Sequence, residues 1–348
     1  MTAPPPDPYG PPPGWPGQPP YQPPGYGYPP PGYPPPGYRG YPGFTPYQPG
    51  IIPLHRLSLS DIFNGAVGYI RANPTATLGM TTVVVLITSA MGVVIGLVSR
   101  TGPGDAATVA GLLTSTTVTL LATILLSGML TVVVARAILG RSITVAEAWR
   151  QVRGRMPALV ALSLLEIVAA LMMIGAVILA IAGVARAADG ALAALVGIPL
   201  VLLLMAALAV LFTVLSLAPV AIVLERKSVA DGIARSVGLA RRQFWRILGI
   251  RVLAAIVAVV VAGVISIPFE IVGQVVSFGG GGPHTPTPMQ WAVVTIGQAI
   301  GQIITTPFTA GVVALLYVDA RIRSEAFDVV LRSVPAGVAD VDGIWLTR

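Results

Sequence analysis

Two carboxylates lie inside long apolar segments, where an ionisable side chain is costly. Glu166 lies about eight residues into one segment, roughly 12 Å along a helix, and Glu270 lies near the far end of another. A charge at that depth costs about 2.5–3.5 kcal/mol on insertion scales. We therefore expect both carboxyl groups to face neighbouring helices or to be protonated, and we treat both as candidates for an intramembrane polar site.

The last two apolar segments also carry three glutamines at matching depth. In a hairpin of these segments, Gln274 lies one turn from Glu270, and Gln298 and Gln302 lie at the same level on the partner helix. We predict that these four side chains form one hydrogen-bonded cluster. It would serve either as a contact between helices, worth about 0.6 kcal/mol per bond, or as the lining of a site for a polar substrate or a proton.

Residues that commonly carry catalysis or bind metals are scarce in this chain. Cysteine is absent, which excludes disulfides, thiolate metal sites and a cysteine nucleophile. The two histidines, His55 and His284, are too far apart in the sequence to suggest a metal cluster. We therefore expect no catalytic residue, no metal, no cofactor and no enzyme activity.

The composition indicates that the polar residues are positioned by membrane helices. Of the 348 residues, 54% are hydrophobic and 10% are charged, whereas a soluble domain usually carries about 25% charged residues. Six apolar segments reach the roughly 20 residues that cross a bilayer core. They cover about 78–98, 109–135, 158–184, 191–218, 247–277 and 289–318. We predict an all-α integral membrane protein with six transmembrane helices.

The links between these segments alternate between basic and nearly uncharged. Of the 21 basic residues, Arg100 and Arg186 are the two that lie in the nearly uncharged links. The positive-inside rule then predicts that both termini are cytoplasmic. All the basic residues except Lys227 are arginines, which suggests a GC-rich bacterial genome and therefore a bacterial inner membrane.

Three helix starts share the spacing of a capping box, in which a Ser or Thr precedes an acid by three residues. The pairs are Ser58 with Asp61, Thr144 with Glu147, and Ser228 with Asp231. Each opens a short amphipathic segment that leads into two apolar segments. We predict three repeats of one unit, an interfacial amphipathic helix followed by a helical hairpin. The first and third copies share Asp61, Val67, Gly68, Arg71, Leu78 and Gly79, which recur as Asp231, Val237, Gly238, Arg241, Leu248 and Gly249.

Basic residues on the amphipathic segments are candidates for contact with anionic lipid headgroups, at about 1 kcal/mol each. The candidates are Arg153, Arg155, Arg235, Arg242 and Arg246. The simpler alternative is that they only fix the topology. Nucleic-acid binding is not expected, because these residues lie close to the apolar segments and lack an aromatic platform.

The first 50 residues differ from the rest of the chain. They hold 21 of the 33 prolines and 8 of the 10 tyrosines. Because proline stops both helix and sheet, we predict a disordered cytoplasmic tail. The tail is either a spacer or a recruiter of protein partners through repeated Tyr and Pro contacts. The six-span domain then covers 51–330, and a cytoplasmic C-terminal tail covers 331–348.

Three stretches have a familiar pattern: IPL at 52–54, LSDIFNGA at 59–66 and LYVDARIRSEAFD at 316–328. They resemble the membrane domain associated with bacterial glycerophosphoryl diester phosphodiesterases, and the whole chain resembles actinobacterial proline- and glycine-rich transmembrane proteins. The resemblance implies a membrane module alone, because the chemistry of that family belongs to a separate catalytic barrel with metal-binding His and Glu residues. Within the last stretch, Asp319 with Arg323 and Arg321 with Glu325 are predicted i,i+4 ion pairs.

These patterns favour a non-enzymatic inner-membrane protein. We expect a scaffold or anchor that organises lipid or partner proteins through its tail and its basic interfacial helices. The alternative is a transporter or lipid-handling protein that uses the polar intramembrane site.

Overall fold

A computed structural model of the chain describes residues 50–101, 104–187, 190–277, 287–333 and 342–346. The predicted disordered tail lies outside these residues except for Gly50, as does His284. The described residues are helical and contain no strand. The helices are α1 (Leu59–Ala72), α2 (Pro74–Thr101), α3 (Gly104–Ile138), α4 (Val145–Val152), α5 (Met156–Ala187), α6 (Gly190–Leu215), α7 (Ala218–Leu224), α8 (Val229–Ser277), α9 (Pro288–Glu325) and α10 (Phe327–Arg332).

Six stretches within the described residues are long and apolar enough to cross a membrane, which confirms the predicted six-span helical fold. They are Pro74–Ser99, Val109–Ile138, Val145–Arg186, Ala194–Leu224, Val229–Val275 and Met289–Glu325. The helices pair as the hairpins α2–α3, α5–α6 and α8–α9, and an amphipathic segment precedes each hairpin. The chain is therefore a multi-pass membrane protein.

Capping explains where the amphipathic segments begin. Ser58 and Asp61 form a complete capping box at α1, and Thr144 and Glu147 form another at α4. At α8 the backbone N–H of Asp231 donates to the Ser228 hydroxyl at 3.2 Å, and that hydroxyl donates to the Asp231 carboxylate at 2.6 Å. Burial raises the pKa of the Asp61 carboxyl, but the hydrogen bonds from Ser58 lower it more, so its pKa lies below the usual range.

The third amphipathic segment and its span form one helix with a break. Gln243 has non-helical angles of φ −136° and ψ 27°, which divides α8 into an amphipathic first part and an apolar second part. Between α6 and α8 the chain forms an additional helix that the sequence did not predict. This helix, α7, is buried at every residue and carries Pro219 in its first turn, where proline is tolerated.

The packed core lies at one end of the bundle, which we call the basic end because α1, α4 and the first part of α8, with their arginines, lie at this end. It contains the fully buried Leu57, Ile62, Leu130 and Leu315, and also Trp345, so part of the predicted C-terminal tail belongs to the core. α3 and α9 run through the centre of the bundle. Half of the most apolar stretch of each is buried, against 6% for the corresponding stretches of α5 and α6. The outer parts of α5 and α6 therefore offer their apolar side chains to lipid.

Candidate functional site

A cavity of about 250 Å³ lies inside the bundle, where α3, α5, α6, α7, α8 and α9 meet. Its wall is mainly apolar, but it also contains five hydroxyls, one carboxylate and one guanidinium. The lining residues are Leu120, Thr123, Ile124, Ser127, Glu166, Phe212, Ser216, Pro219, Arg251, Thr306, Thr309, Ala310 and Val313. An apolar pocket with a few convergent polar groups is the usual form of a small-molecule site.

Glu166 supplies the carboxylate of the cavity. It lies ten residues after the start of α5 at Met156, about 15 Å along the helix. The residue is 9% exposed, so it faces the interior of the bundle. No protein group among the described residues donates a hydrogen bond to it. Among the described residues the carboxylate therefore has no hydrogen-bond donor, and the opposite charge that acts on it is Arg251.

Arg251 supplies the guanidinium, and the sequence analysis did not single it out. It lies eight residues beyond Gln243, about 12 Å along α8. Its Nη1 donates to the backbone carbonyl of Phe212 at 2.5 Å, while its other donors have no protein acceptor in the described part of the chain. No direct salt bridge joins it to Glu166, although both line the same cavity. The signal that could have identified it is the need of Glu166 for an opposite charge, which an arginine inside a predicted span would meet.

The predicted cluster of Glu270, Gln274, Gln298 and Gln302 is not formed. All four side chains are exposed on the surface of the bundle, and no hydrogen bond joins them within the described residues. The α8–α9 interface is filled by small residues instead. A Cβ added at Gly297 would lie 2.6 Å from the Phe269 Cβ, so the backbones approach too closely to leave room for long polar side chains between them.

The two glutamines of α9 nevertheless have a structural relation to the cavity. Gln298, Gln302, Thr306 and Thr309 follow one another at helical spacings of four, four and three residues, so they share one face of α9. Thr306 and Thr309 line the cavity. A polar face of α9 thus runs from the cavity toward the end of the bundle opposite the basic end. We call these four residues the α9 polar face.

A buried ion-pair network lies at the basic end, outside the cavity. The Glu225 carboxylate, immediately after α7, accepts from Arg235 Nε at 3.1 Å, lies 3.6 Å from Arg321 Nη1, and accepts from the Tyr317 hydroxyl. Arg235 and Arg321 also pair with Glu325. The Arg321–Glu325 pair was predicted from the sequence and is confirmed. The network joins the end of α7 to α8 and α9, which is a structural role.

A second charged group, the Asp319 clasp, consists of Asp319, Arg246, Arg323 and the backbone of Leu57. Asp319 is 1% exposed, and its carboxylate accepts from Leu57 N–H at 2.9 Å, from Arg246 Nη2 at 3.0 Å and from Arg323 Nε at 2.9 Å. Both arginines also donate to the Leu57 carbonyl. The predicted Asp319–Arg323 pair is confirmed, and the clasp fixes the segment before α1 against α8 and α9.

These contacts divide the arginines predicted to meet lipid headgroups. Arg235 and Arg246 are committed to internal ion pairs, so the prediction that they contact anionic lipid is not supported by their geometry. Arg153 and Arg242 are exposed and Arg155 is half-buried, and none of the three has an ion pair among the described residues. These three arginines retain their charge for a headgroup.

Two exposed tryptophans lie beside the three arginines in the sequence. Trp149 is 48% exposed and Trp245 is 80% exposed. Trp is enriched at membrane–water interfaces, where its ring sits at headgroup level. The described residues contain no group of three or more His, Cys, Asp or Glu side chains arranged to hold a metal ion.

Comparison with known proteins gives one match. The profile of a family described as Domain of unknown function (DUF7847) matches residues 57–320, a range that includes every residue of the cavity wall. No curated protein and no solved structure matches the chain. The resemblance to the membrane domain of glycerophosphoryl diester phosphodiesterases stays a prediction.

Proposed function

Because this chain belongs to the DUF7847 family, whose description assigns no activity, we propose a function from the cavity geometry. The protein binds a polar or amphipathic molecule within the bilayer and acts in lipid handling or transport. One observation carries this proposal: Glu166 and Arg251 line the same cavity as an electrostatically interacting pair of opposite charges, and no hydrogen bond or salt bridge joins the two described side chains.

The energetics of charge in a membrane support binding over a purely structural role. A charged side chain inside a membrane protein is normally paired, or it marks a path or site for a ligand. A carboxylate that only held helices together would accept hydrogen bonds from its neighbours, as Glu225 does. Glu166 accepts none from the described residues, and Arg251 interacts with it by charge alone, so its oxygens are open to water or a ligand.

The α9 polar face supports an approach route for the ligand. An amphipathic molecule that enters from the bilayer must keep its polar part solvated while its chains stay in lipid. Gln298 and Gln302 are exposed and lie on the face that continues to Thr306 and Thr309 in the cavity wall. Their amide groups offer hydrogen bonds along about 12 Å of helix, from residue 298 to residue 306.

We propose binding rather than catalysis. The cavity wall offers one carboxylate and several hydroxyls, but it contains no His, no Cys and no second carboxylate. No described hydroxyl of the wall donates to that carboxylate, and those of Thr123, Ser216 and Thr309 donate to backbone carbonyls, so no nucleophile is positioned on a base.

The test uses two matched substitutions on α3. Thr123 lines the cavity and Thr119, one turn away, does not; both are exposed, and each hydroxyl donates to the carbonyl four residues earlier. We expect Thr123→Phe to fill the cavity and Thr119→Phe to leave it open. Native mass spectrometry of the full chain released from its own membranes should show a bound small molecule with wild type and Thr119→Phe. Equal retention by Thr123→Phe would refute the proposal.

A second candidate function is a scaffold or anchor, and the unpaired arginines favour it. Arg153, Arg155 and Arg242 have no ion pair among the described residues, and Trp149 and Trp245, which are near them in the sequence, are exposed, so both segments suit anionic headgroups. Cross-linking mass spectrometry on native membranes, with the intact chain and a deletion of residues 2–50, tests whether the tail recruits proteins. An identical set of cross-linked partners in both samples would remove the tail from this candidate.

We also propose that the protein resides in a bacterial inner membrane with its basic end in the cytoplasm. The support is the charge distribution, in which Arg100 and Arg186 are the basic residues in the links at the other end.

A further inference from the structure

We propose that the cavity recognises a zwitterion, a molecule with one acidic group and one primary amine. The acidic group binds Arg251 and the amine binds Glu166. This inference rests on the proposed function and names its ligand class: the headgroup of an aminophospholipid such as phosphatidylethanolamine, or a soluble zwitterion of the same chemistry. It follows from the charge, the free hydrogen-bonding groups and the size of the cavity.

The charge balance of the wall selects against a singly charged ligand. Glu166 and Arg251 are the charged residues in the wall, one of each sign. An anionic ligand on Arg251 would bury a second negative charge beside the Glu166 carboxylate. A cationic ligand on Glu166 would bury a second positive charge beside the Arg251 guanidinium. Burial of a net charge in a low-dielectric interior is strongly unfavourable. A zwitterion satisfies both residues and keeps the site neutral.

The free hydrogen-bonding groups match the two ends of such a ligand. Nη1 of Arg251 donates to the Phe212 carbonyl, and the other guanidinium donors have no acceptor among the described residues. These donors suit the oxygens of a phosphate or carboxylate. The Glu166 carboxylate accepts no hydrogen bond from the part of the chain that the structure describes, and it suits an ammonium group that donates hydrogen bonds. A quaternary amine such as choline has no N–H to donate, so phosphatidylcholine is the poorer ligand.

The size and opening of the cavity fit a headgroup whose chains stay outside. A volume of about 250 Å³ corresponds to roughly eight water molecules at about 30 Å³ each and lies below the range for drug-sized ligands. Thr123 in the wall is exposed, so the cavity opens at the surface of the bundle. Acyl chains then lie along the apolar helices while the polar group occupies the cavity.

The experiment measures lipid preference by native mass spectrometry of the delipidated full chain. The probes are phosphatidylethanolamine, phosphatidylglycerol, phosphatidylcholine and soluble phosphoethanolamine. For wild type we expect phosphatidylethanolamine to bind at least about tenfold more tightly than phosphatidylglycerol, the effect of one charge-assisted contact. Glu166→Gln should reverse that preference, because the wall then carries a net positive charge. A reversal cannot come from misfolding.

Matched variants test whether the lipid preference depends on the two charges in the cavity wall or on any charge of the protein. Glu270→Gln removes an exposed carboxylate of α8 outside the cavity, and Arg71→Gln removes an exposed arginine of α1; both should keep the wild-type preference. Glu166→Asp and Arg251→Lys keep the charges and should retain its direction. Arg251→Gln should lose phosphatidylethanolamine and phosphatidylglycerol alike.

The outcomes distinguish this inference from the function on which it rests. Equal binding of phosphatidylglycerol and phosphatidylethanolamine by wild type, still abolished by Thr123→Phe, would overturn the zwitterion and keep the proposed function. No Thr123-dependent binding of any probe would overturn both. Binding of phosphoethanolamine without any phospholipid would support the zwitterion and assign it to a soluble source.

Discussion

Replacement of Asp319 by Asn should destabilise the protein strongly, because it removes the negative charge at the centre of the Asp319 clasp. Asn keeps an oxygen for the Leu57 N–H, so the lost interactions are the ion pairs with Arg246 and Arg323. Removal of one partner of a buried ion pair costs about 3–5 kcal/mol. The arginine side chains are 31% and 26% exposed, so water partly screens their charges. We therefore expect the lower end, a loss of about 3 kcal/mol.

The chain offers a matched control for this change at an exposed ion pair. Asp328 lies 3.9 Å from Arg332, whose side chain is 52% exposed. Exposed pairs contribute about 0–1 kcal/mol, so Asp328→Asn should lower the free energy of unfolding by less than about 1 kcal/mol. The assay is unfolding of the purified full chain in mixed micelles by titration with sodium dodecyl sulfate, followed by circular dichroism.

The clasp interpretation also predicts coupling between its members. The double variant Asp319→Asn with Arg323→Gln should lose less than the sum of the single changes, since each single change leaves an unpaired group. If Asp319→Asn costs no more than Asp328→Asn, or if the double variant is additive, the clasp does not hold the segment before α1 and the reasoning fails.

Three further predictions test the packing, the membrane level and the orientation. Gly65→Ala places a Cβ 2.8 Å from both Ile52 Cγ2 and Leu315 Cδ1, which are buried. It should therefore lower the free energy of unfolding by about 1–3 kcal/mol in the same assay. The control Gly79→Ala places its Cβ where nothing lies within 4 Å, so it should be neutral or stabilising by up to about 1 kcal/mol. In single-tryptophan variants, brominated lipid should quench Trp245, which is 80% exposed, far more than Trp345, which is 3% exposed, and equal quenching would contradict the interfacial placement. Because the chain has no cysteine, a single introduced cysteine reports its own side of the membrane. An impermeant maleimide should label Gly282→Cys on intact cells, and it should label Gly154→Cys only after permeabilisation. The opposite pattern would invert the proposed topology.

Local features of the fold were predictable because their causes are local. The capping pairs Ser58–Asp61 and Thr144–Glu147 depend on residues three apart, and the Arg321–Glu325 pair depends on residues four apart. The six spans follow from segment length and polarity. These features need no knowledge of which helices become neighbours.

The arrangement of charges was less predictable because it depends on distant contacts. Glu225 looks like an ordinary residue of a basic link, yet it is 5% exposed and meets residues almost 100 positions away. Arg251 falls just beyond that link, inside the predicted segment 247–277, and was not singled out, although it lies in the cavity wall. The cluster around Glu270 was predicted from depth alone, and depth does not define which side of a helix faces its partner.

The internal repeat separates residues that hold the fold from residues that build the cavity. The shared Asp61 and Asp231 contact their capping serines, so their recurrence has a structural cause. In the same register, position 81 of the first copy corresponds to position 251 of the third. Thr81 is fully buried, and its hydroxyl donates to the carbonyl of Thr77 in its own helix at 2.8 Å. The first copy therefore forms its span with an uncharged residue at this position. By analogy, the guanidinium of Arg251 is not required to form the third copy's span. Its guanidinium instead supplies the charge opposite Glu166 in the cavity wall, an arrangement that the proposed zwitterion site uses.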